Sequence, residues 1–219
     1  MNVLEFVGPS GGGKSTIAAA LEEAHPDLIV RCDPYDLTSW WTLLRHPSTC
    51  AKALRFLWHI GGLRATCSKR GANWLAIAGA VRYTEARAQR DHRVFVYDQL
   101  VLQAFRSVAG ISHRPMVSLL RDHGSLLEPA RYIVAVQVSA HVRAERLRAR
   151  TPRRREPRPP RIHGKAWARK HWRNWLRTRR TLRAVLGGDG SYRVLVVDGT
   201  HPPEENAAII HKWIIDDLA

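Results

Sequence analysis

At 219 residues the chain is long enough for one α/β domain with a full core and an appended lid or helical insert. Its 45% apolar content excludes wholesale disorder, and no apolar run approaches the ~20 residues that a membrane span needs. The formal charge of +16 is not a property of the whole surface: residues 143–183 carry 17 Lys or Arg against Glu145 and Glu156, a net +15, and the remainder nets +1.

The first element, Asn2–Val7, has the apolar run of a short buried strand, and Lys14–Ala24 is rich in helix formers. Between and into them runs Gly8, Pro9, Ser10, Gly11, Gly12, Gly13, Lys14, Ser15 and Thr16, which fits the phosphate-loop pattern G-x-x-x-x-G-K-[ST]. Glycines let successive backbone N–H groups turn inward around a phosphate, and the loop opens a helix whose N-terminus has unused donors and partial positive charge. Lys14 then reaches the β- and γ-phosphates, and the Ser15 hydroxyl holds Mg²⁺. Strand, glycine loop and helix is the context this motif demands. The stretch predicts binding of a nucleoside triphosphate.

A second strand is expected over 27–32, ending at Asp33 and Pro34, where the proline stops pairing. Ligands of open α/β sheets bind beyond the carboxyl ends of the strands, so Asp33 is a candidate general base or hydroxyl acceptor; a turn residue or helix cap is the plainer alternative. Residues 37–90 read as two or three helices, an acceptor-side insert holding Trp40, Trp41, Trp58 and Trp74, which as a rule are core. The three cysteines, Cys32, Cys50 and Cys67, form no C-x-x-C pair, as expected of a reduced, cytoplasmic protein without a signal peptide. Residues 93–98 form a strong strand of Walker B type, four apolar residues and then Asp98, an acid expected to orient Mg²⁺ or take the acceptor's proton. Gln99 and a helix over 100–109 bearing Gln103 follow. Asp198 ends a later strand and competes for the same role; Asp98 is preferred because Asp198 runs into the Gly199, Thr200, His201, Pro202 loop.

A helix over 116–127 precedes a buried strand over 131–138 and a helix over 140–150, on which Arg146 and Arg150 share a face. Four prolines in 151–161 exclude regular structure there. A long helix over 164–186, a strand over 192–198 and an amphipathic helix over 204–218 complete the chain. Five strands alternating with helices predict a three-layer α/β fold of the P-loop NTPase type: a five-stranded parallel sheet, helices on both faces and an Arg-rich lid at 151–163, all in one domain.

The phosphate loop, the strand ending in Asp98, the strand 131–138 with the Arg146–Arg150 helix, and the closing Val197, Asp198, Gly199 and Thr200 together resemble the thymidylate-kinase-like branch of P-loop nucleoside and nucleotide kinases. The resemblance covers about half the chain. It implies that Arg146 and Arg150 stand at the arginine positions leading into a lid over the triphosphate, with Arg153, Arg154, Arg155 and Arg158 on the lid itself. An arginine delivered to a transferring phosphoryl group is worth ~10³–10⁵ in rate. Two departures concern the acceptor. The family's Asp-Arg is here Asp98-Gln99, and its Arg-Glu-Pro is here Arg31-Cys32-Asp33-Pro34. Loss of an arginine and gain of an acid both point away from a phosphorylated acceptor, because a hydroxyl needs a base where a phosphate needs positive clamps. The Asp-Gln pair followed by Gln103 also resembles thymidylate-kinase-like proteins linked to bacterial surface polysaccharides.

The expectation is therefore an ATP- and Mg²⁺-dependent small-molecule kinase with a nucleoside, nucleotide or other hydroxyl acceptor. Lys14, Asp33, Asp98, Arg146, Arg150 and Arg154 are its catalytic candidates, Gly8 to Thr16 bind the nucleotide, and Ser15 and Asp98 serve the metal. The alternative is a nucleic-acid-associated ATPase or polynucleotide-end kinase that grips phosphates with the basic segment 143–183. A regulatory ATPase meeting anionic lipid through that segment is a third reading. No integral membrane contact is expected, and a homodimer is compatible with the sequence.

Overall fold

The structure, a computed structural model, describes residues 2–32, 45–52, 54–55, 81, 92–98, 132–149, 169, 173, 176 and 193–218. Five strands form one sheet: β1 (Asn2–Val7), β2 (Ile29–Cys32), β3 (Val94–Tyr97), β4 (Tyr132–Gln137) and β5 (Arg193–Asp198). Their order is β2-β3-β1-β4-β5, and every pairing is parallel. The chain leaves β1 toward β3 and β2 on one side and later returns to β4 and β5 on the other. The carboxyl end of β1 is thus a topological switch point, the place where open α/β sheets bind ligands.

Side chains alternate across the sheet, and both sets are buried. Leu4 and Phe6 of β1, Val94 and Val96 of β3, and Val134 and Val136 of β4 pack against Ile17, Ala18 and Leu21 of helix α1 (Lys14–Ala24). Ala207, Ile210 and Ile214 of the C-terminal helix complete the same layer. The opposite set, Val3, Val7, Phe95, Tyr97, Ile133 and Ala135, is also buried, which explains the near-continuous apolar strands. Glu5 belongs to it, fully buried between Tyr97 and Ile133 in register. Fully burying one of the larger side chains contributes about 1.5–3 kcal/mol, so the central strands hold the frame on which the loop is mounted.

Two further helices are described, α2 (Ala140–Ala149) and α3 (Pro203–Leu218). Far from the switch point, Asp217 of α3 accepts from the Tyr132 hydroxyl at 3.0 Å and pairs with Arg193 Nε at 2.7 Å. Tyr132 also meets the Trp213 ring edge-on at 5.4 Å. These contacts lock the C-terminal helix onto the start of β4 and β5.

Small differences from the expected bounds have local causes. β2 begins at Ile29 because Leu28 and Ile29 donate to the His25 carbonyl at 3.2 and 2.9 Å, which turns 25–28 into the end of α1's exit. α3 begins at Pro203, since proline's missing N–H is harmless in a first helical turn. Within the expected insert, residues 45, 47–52, 54–55 and 81 are helical and 46 is not; within the expected helix 164–186, residues 169, 173 and 176 are helical. The rest of those segments, the helices expected over 100–109 and 116–127, and the lid at 151–163 lie outside the described residues. Among the described residues no helix is long and apolar enough to cross a membrane.

Candidate active site

The loop leaves β1 at Val7 and is shaped by its neighbours as much as by its glycines. A Cβ on Gly8 would stand 2.9 Å from the Val136 carbonyl oxygen, so β4 admits only glycine there without a shift. Gly11 and Gly13 have φ of 78° and 95°, the left-handed region that glycine enters without strain. Gly13 caps α1 through its carbonyl, which accepts from Thr16 and Ile17 at 3.1 and 2.9 Å. No side chain caps this helix and its first turn has no acid, so its N-terminal donors are presented to an anion without a competing carboxylate.

Lys14, only 5% exposed, folds its ammonium back over the loop and donates to the Gly8 and Pro9 carbonyls at 3.2 and 3.1 Å. Ser15 donates its hydroxyl to Asp98 Oδ2 at 2.6 Å, bringing the acid at the end of β3 against the first turn of α1. A serine hydroxyl beside a carboxylate is a pair of hard oxygen donors and suits Mg²⁺. Among the described residues no group of three or more His, Cys, Asp or Glu side chains offers a metal cage.

α2 packs on the loop from the other side. Arg143 Nε donates to the Ser10 carbonyl at 2.8 Å, Leu147 Cγ lies 3.1 Å from where a Gly11 Cβ would be, and Arg146 Nη1 lies 3.4 Å from the corresponding point on Gly13. Burial lowers the pKa of the Arg143 guanidinium, yet an arginine remains charged at any ordinary pH. Asp198 is turned into its own loop: its Oδ1 accepts from the Thr200 N–H at 2.9 Å and the Thr200 hydroxyl at 2.8 Å. The Thr200 N–H bond, above all, holds the Asp198 carboxyl below the usual carboxylate range, with the Thr200 hydroxyl, His201 and Arg146 helping against burial. Asn206 Nδ2 donates to the Asp198 carbonyl at 2.9 Å and ties the loop to α3. Of the two strand-end acids, then, Asp98 faces Ser15 and Asp198 faces Thr200.

The structure brings together Gly8 to Thr16, Lys14, Ser15, Asp98 and Arg146. Asp33, Arg150 and Arg154 lie outside the described residues. Two residues at this site carry no motif. Arg143 sits one turn before Leu147, on the face that meets Gly11, a placement that only the packing of α2 reveals. Asn206 has no signal beyond its place in the first turns of α3.

Residues 3–173 match the family described as AAA domain, AAA_33. The chain belongs to that family. Among solved structures, three of the deoxyadenosine kinase from M. mycoides are similar to it. One holds the products dCMP and a flexible dCDP, at TM-score 0.54 and 12% identity over 98% of this chain and 99% of that one. One holds dATP, at TM-score 0.52 and 12% identity over 97% and 98%. One holds dCTP, at TM-score 0.53 and 13% identity over 98% and 99%. At this identity the likeness is one of fold, the P-loop kinase fold, and it runs nearly end to end in both chains. No curated protein sequence matches the chain significantly.

Proposed function

We propose that this AAA-domain chain is an ATP- and Mg²⁺-dependent kinase that transfers the γ-phosphoryl group to a hydroxyl of a small acceptor, a nucleoside or nucleotide being the first class to test. The observation that carries the reading is the 2.6 Å contact between Ser15 and Asp98 beside the Lys14 loop. It sets a hydroxyl and a carboxylate side by side at the switch point, and this supports a site where Mg²⁺, a triphosphate and an acceptor would meet. The end-to-end likeness in fold to deoxyadenosine kinase supports a nucleoside-type acceptor. The motifs that resemble the thymidylate-kinase-like branch support placing the chain there, and a cytoplasmic location suits such chemistry.

Each part then has a task. The N–H groups of Gly11 and of Gly13 to Ser15, with the N-terminus of α1, receive the β- and γ-phosphates, while the Gly12 N–H closes the loop on the Pro9 carbonyl. Lys14 leaves the Gly8 and Pro9 carbonyls for the phosphate oxygens, a short movement for a flexible ammonium. Ser15, oriented by Asp98, would hold Mg²⁺, which neutralises charge between the β- and γ-phosphates. Asp33 or Asp98 accepts the acceptor's hydroxyl proton. Arg146, over Gly13, contributes positive charge to the transferred group, joined by Arg150 and Arg154.

The test is transfer from γ-labelled ATP to a panel of nucleosides, nucleotides, sugars and oligonucleotide ends. Label on a small acceptor supports the proposal. Label on oligonucleotide ends, with affinity falling steeply in salt, favours the polynucleotide reading of the basic segment instead. Release of inorganic phosphate alone contradicts a kinase.

A further inference from the structure

We propose that Arg143 is a positioning residue that presets the phosphate loop: by holding the Ser10 carbonyl against α2, it aims the Gly11 N–H into the phosphate cradle. The proposal rests on the reading of the loop as a triphosphate site and is independent of the acceptor.

Ser10 and Arg143 are 133 positions apart, and the Arg143 Nε to Ser10 oxygen distance is 2.8 Å. The residue is only 8% exposed. Burying a guanidinium is costly unless its donors are used, so the contact must be structurally specified. Its consequence follows from the peptide unit. The Ser10 carbonyl and the Gly11 N–H belong to one planar trans unit and point in opposite directions; the described chain has no cis peptide. Fixing the carbonyl toward α2 therefore turns the Gly11 N–H away from α2. Glycine at φ 78° has unusually free rotation about this unit, so without the bond the N–H direction is poorly determined. Next to it, Gly12 N–H is spent on the Pro9 carbonyl at 3.1 Å, which makes the orientation of Gly11 N–H more consequential. Arg143 thus differs from Arg146 in kind: through Nε it acts on the loop backbone rather than by charge on the ligand.

Two substitutions of similar length separate donor from charge. Arg143→Gln places an amide nitrogen where Nε stands and removes the charge; Arg143→Met places a methyl there. Dissociation constants for Mg-ATP and for tripolyphosphate, with melting temperatures, are measured for all three proteins. Arg143→Met is expected to weaken both ligands in parallel, by about tenfold to a hundredfold, the scale of one charge-assisted hydrogen bond. Arg143→Gln is expected to stay within about threefold of the parent, the residual cost of a neutral donor. Equal loss in Gln and Met variants would show that Arg143 acts by charge and would overturn the proposal, as would loss for ATP with tripolyphosphate unchanged. If the Met variant does not fold, the Gln variant decides alone: retained affinity supports the donor role and lost affinity refutes it. A parent protein that binds neither ligand would instead refute the triphosphate reading, and the proposal with it.

Discussion

Ser15 and Asp98, 83 positions apart, meet side chain to side chain, with the Ser15 hydroxyl donating to Asp98 Oδ2 at 2.6 Å. Parallel pairing of β1 with β3 makes this meeting possible, because Glu5 aligns with Tyr97 and both strands then deliver their next residues to one end of the sheet. Asp98→Asn keeps the shape and removes the charge that, in the proposed kinase, would orient a metal on Ser15. Its phosphoryl-transfer rate is expected to fall by about 10²–10³ with little change in melting temperature, the scale seen when one preorganised electrostatic group is removed from a site. Steady-state kinetics at several Mg²⁺ concentrations check this, with a raised Mg²⁺ requirement as the companion sign.

The Gly199 position tests how closely the β5 loop is fitted to the phosphate loop. A Cβ there would collide with the Gly12 carbonyl oxygen and stand 2.8 Å from Val136 Cγ1, both parts of packed backbone and core. Gly199→Ala is therefore expected to displace the phosphate loop. Calorimetry should show weaker ATP binding and a stability loss of about 1–3 kcal/mol, the usual cost of overpacking. An alanine variant with parental affinity would mean the loop is free to move away.

Much of this frame is legible in the sequence, for physical reasons that differ by element. β1 and α1 have the bounds their residues suggest, since an apolar run meets a glycine loop and then an alanine-rich helix with no ambiguity of period. Asp98 and Asp198 each follow four apolar residues, so the strand pattern alone does not separate them; the loop after Asp198 favours Asp98, the acid that meets Ser15. Arg143 cannot be picked out by type. It is one of four arginines in 143–150, and which of them turns inward depends on how α2 lies across Gly11, a tertiary fact. Glu5 shows the same limit: an apolar run does not account for the acid within it, which the sheet buries fully.

Stability should depend on pH through the junction of α1 and α3. His25 and His211 stack there with ring centroids 3.5 Å apart and planes 9° from parallel. Burial, and then the proximity of His25, lower the pKa of His211 from its ordinary 6.5. A base with a depressed folded pKa is protonated first in the unfolded chain. The folded state is thus favoured fully above 6.5 and loses stability as pH falls through that value toward the folded pKa. Chemical denaturation between pH 8 and 5 should show the decline, and His211→Gln should flatten it.

The far end of the sheet offers a control that separates fold from chemistry. Tyr132→Phe removes the hydroxyl that Asp217 accepts at 3.0 Å, while Arg193 stays paired with that carboxylate. A loss of about 1–2 kcal/mol in denaturant unfolding is expected, with KM for ATP unchanged.

Phosphoryl transfer by the Lys14 loop is measured most directly as transfer of label from γ-labelled ATP to the best small acceptor by the parent protein and by Lys14→Ala. Product is expected from the parent, with a fall of at least about 10²-fold in the variant, whose circular dichroism stays native. Undiminished transfer in a folded Lys14→Ala protein would contradict it.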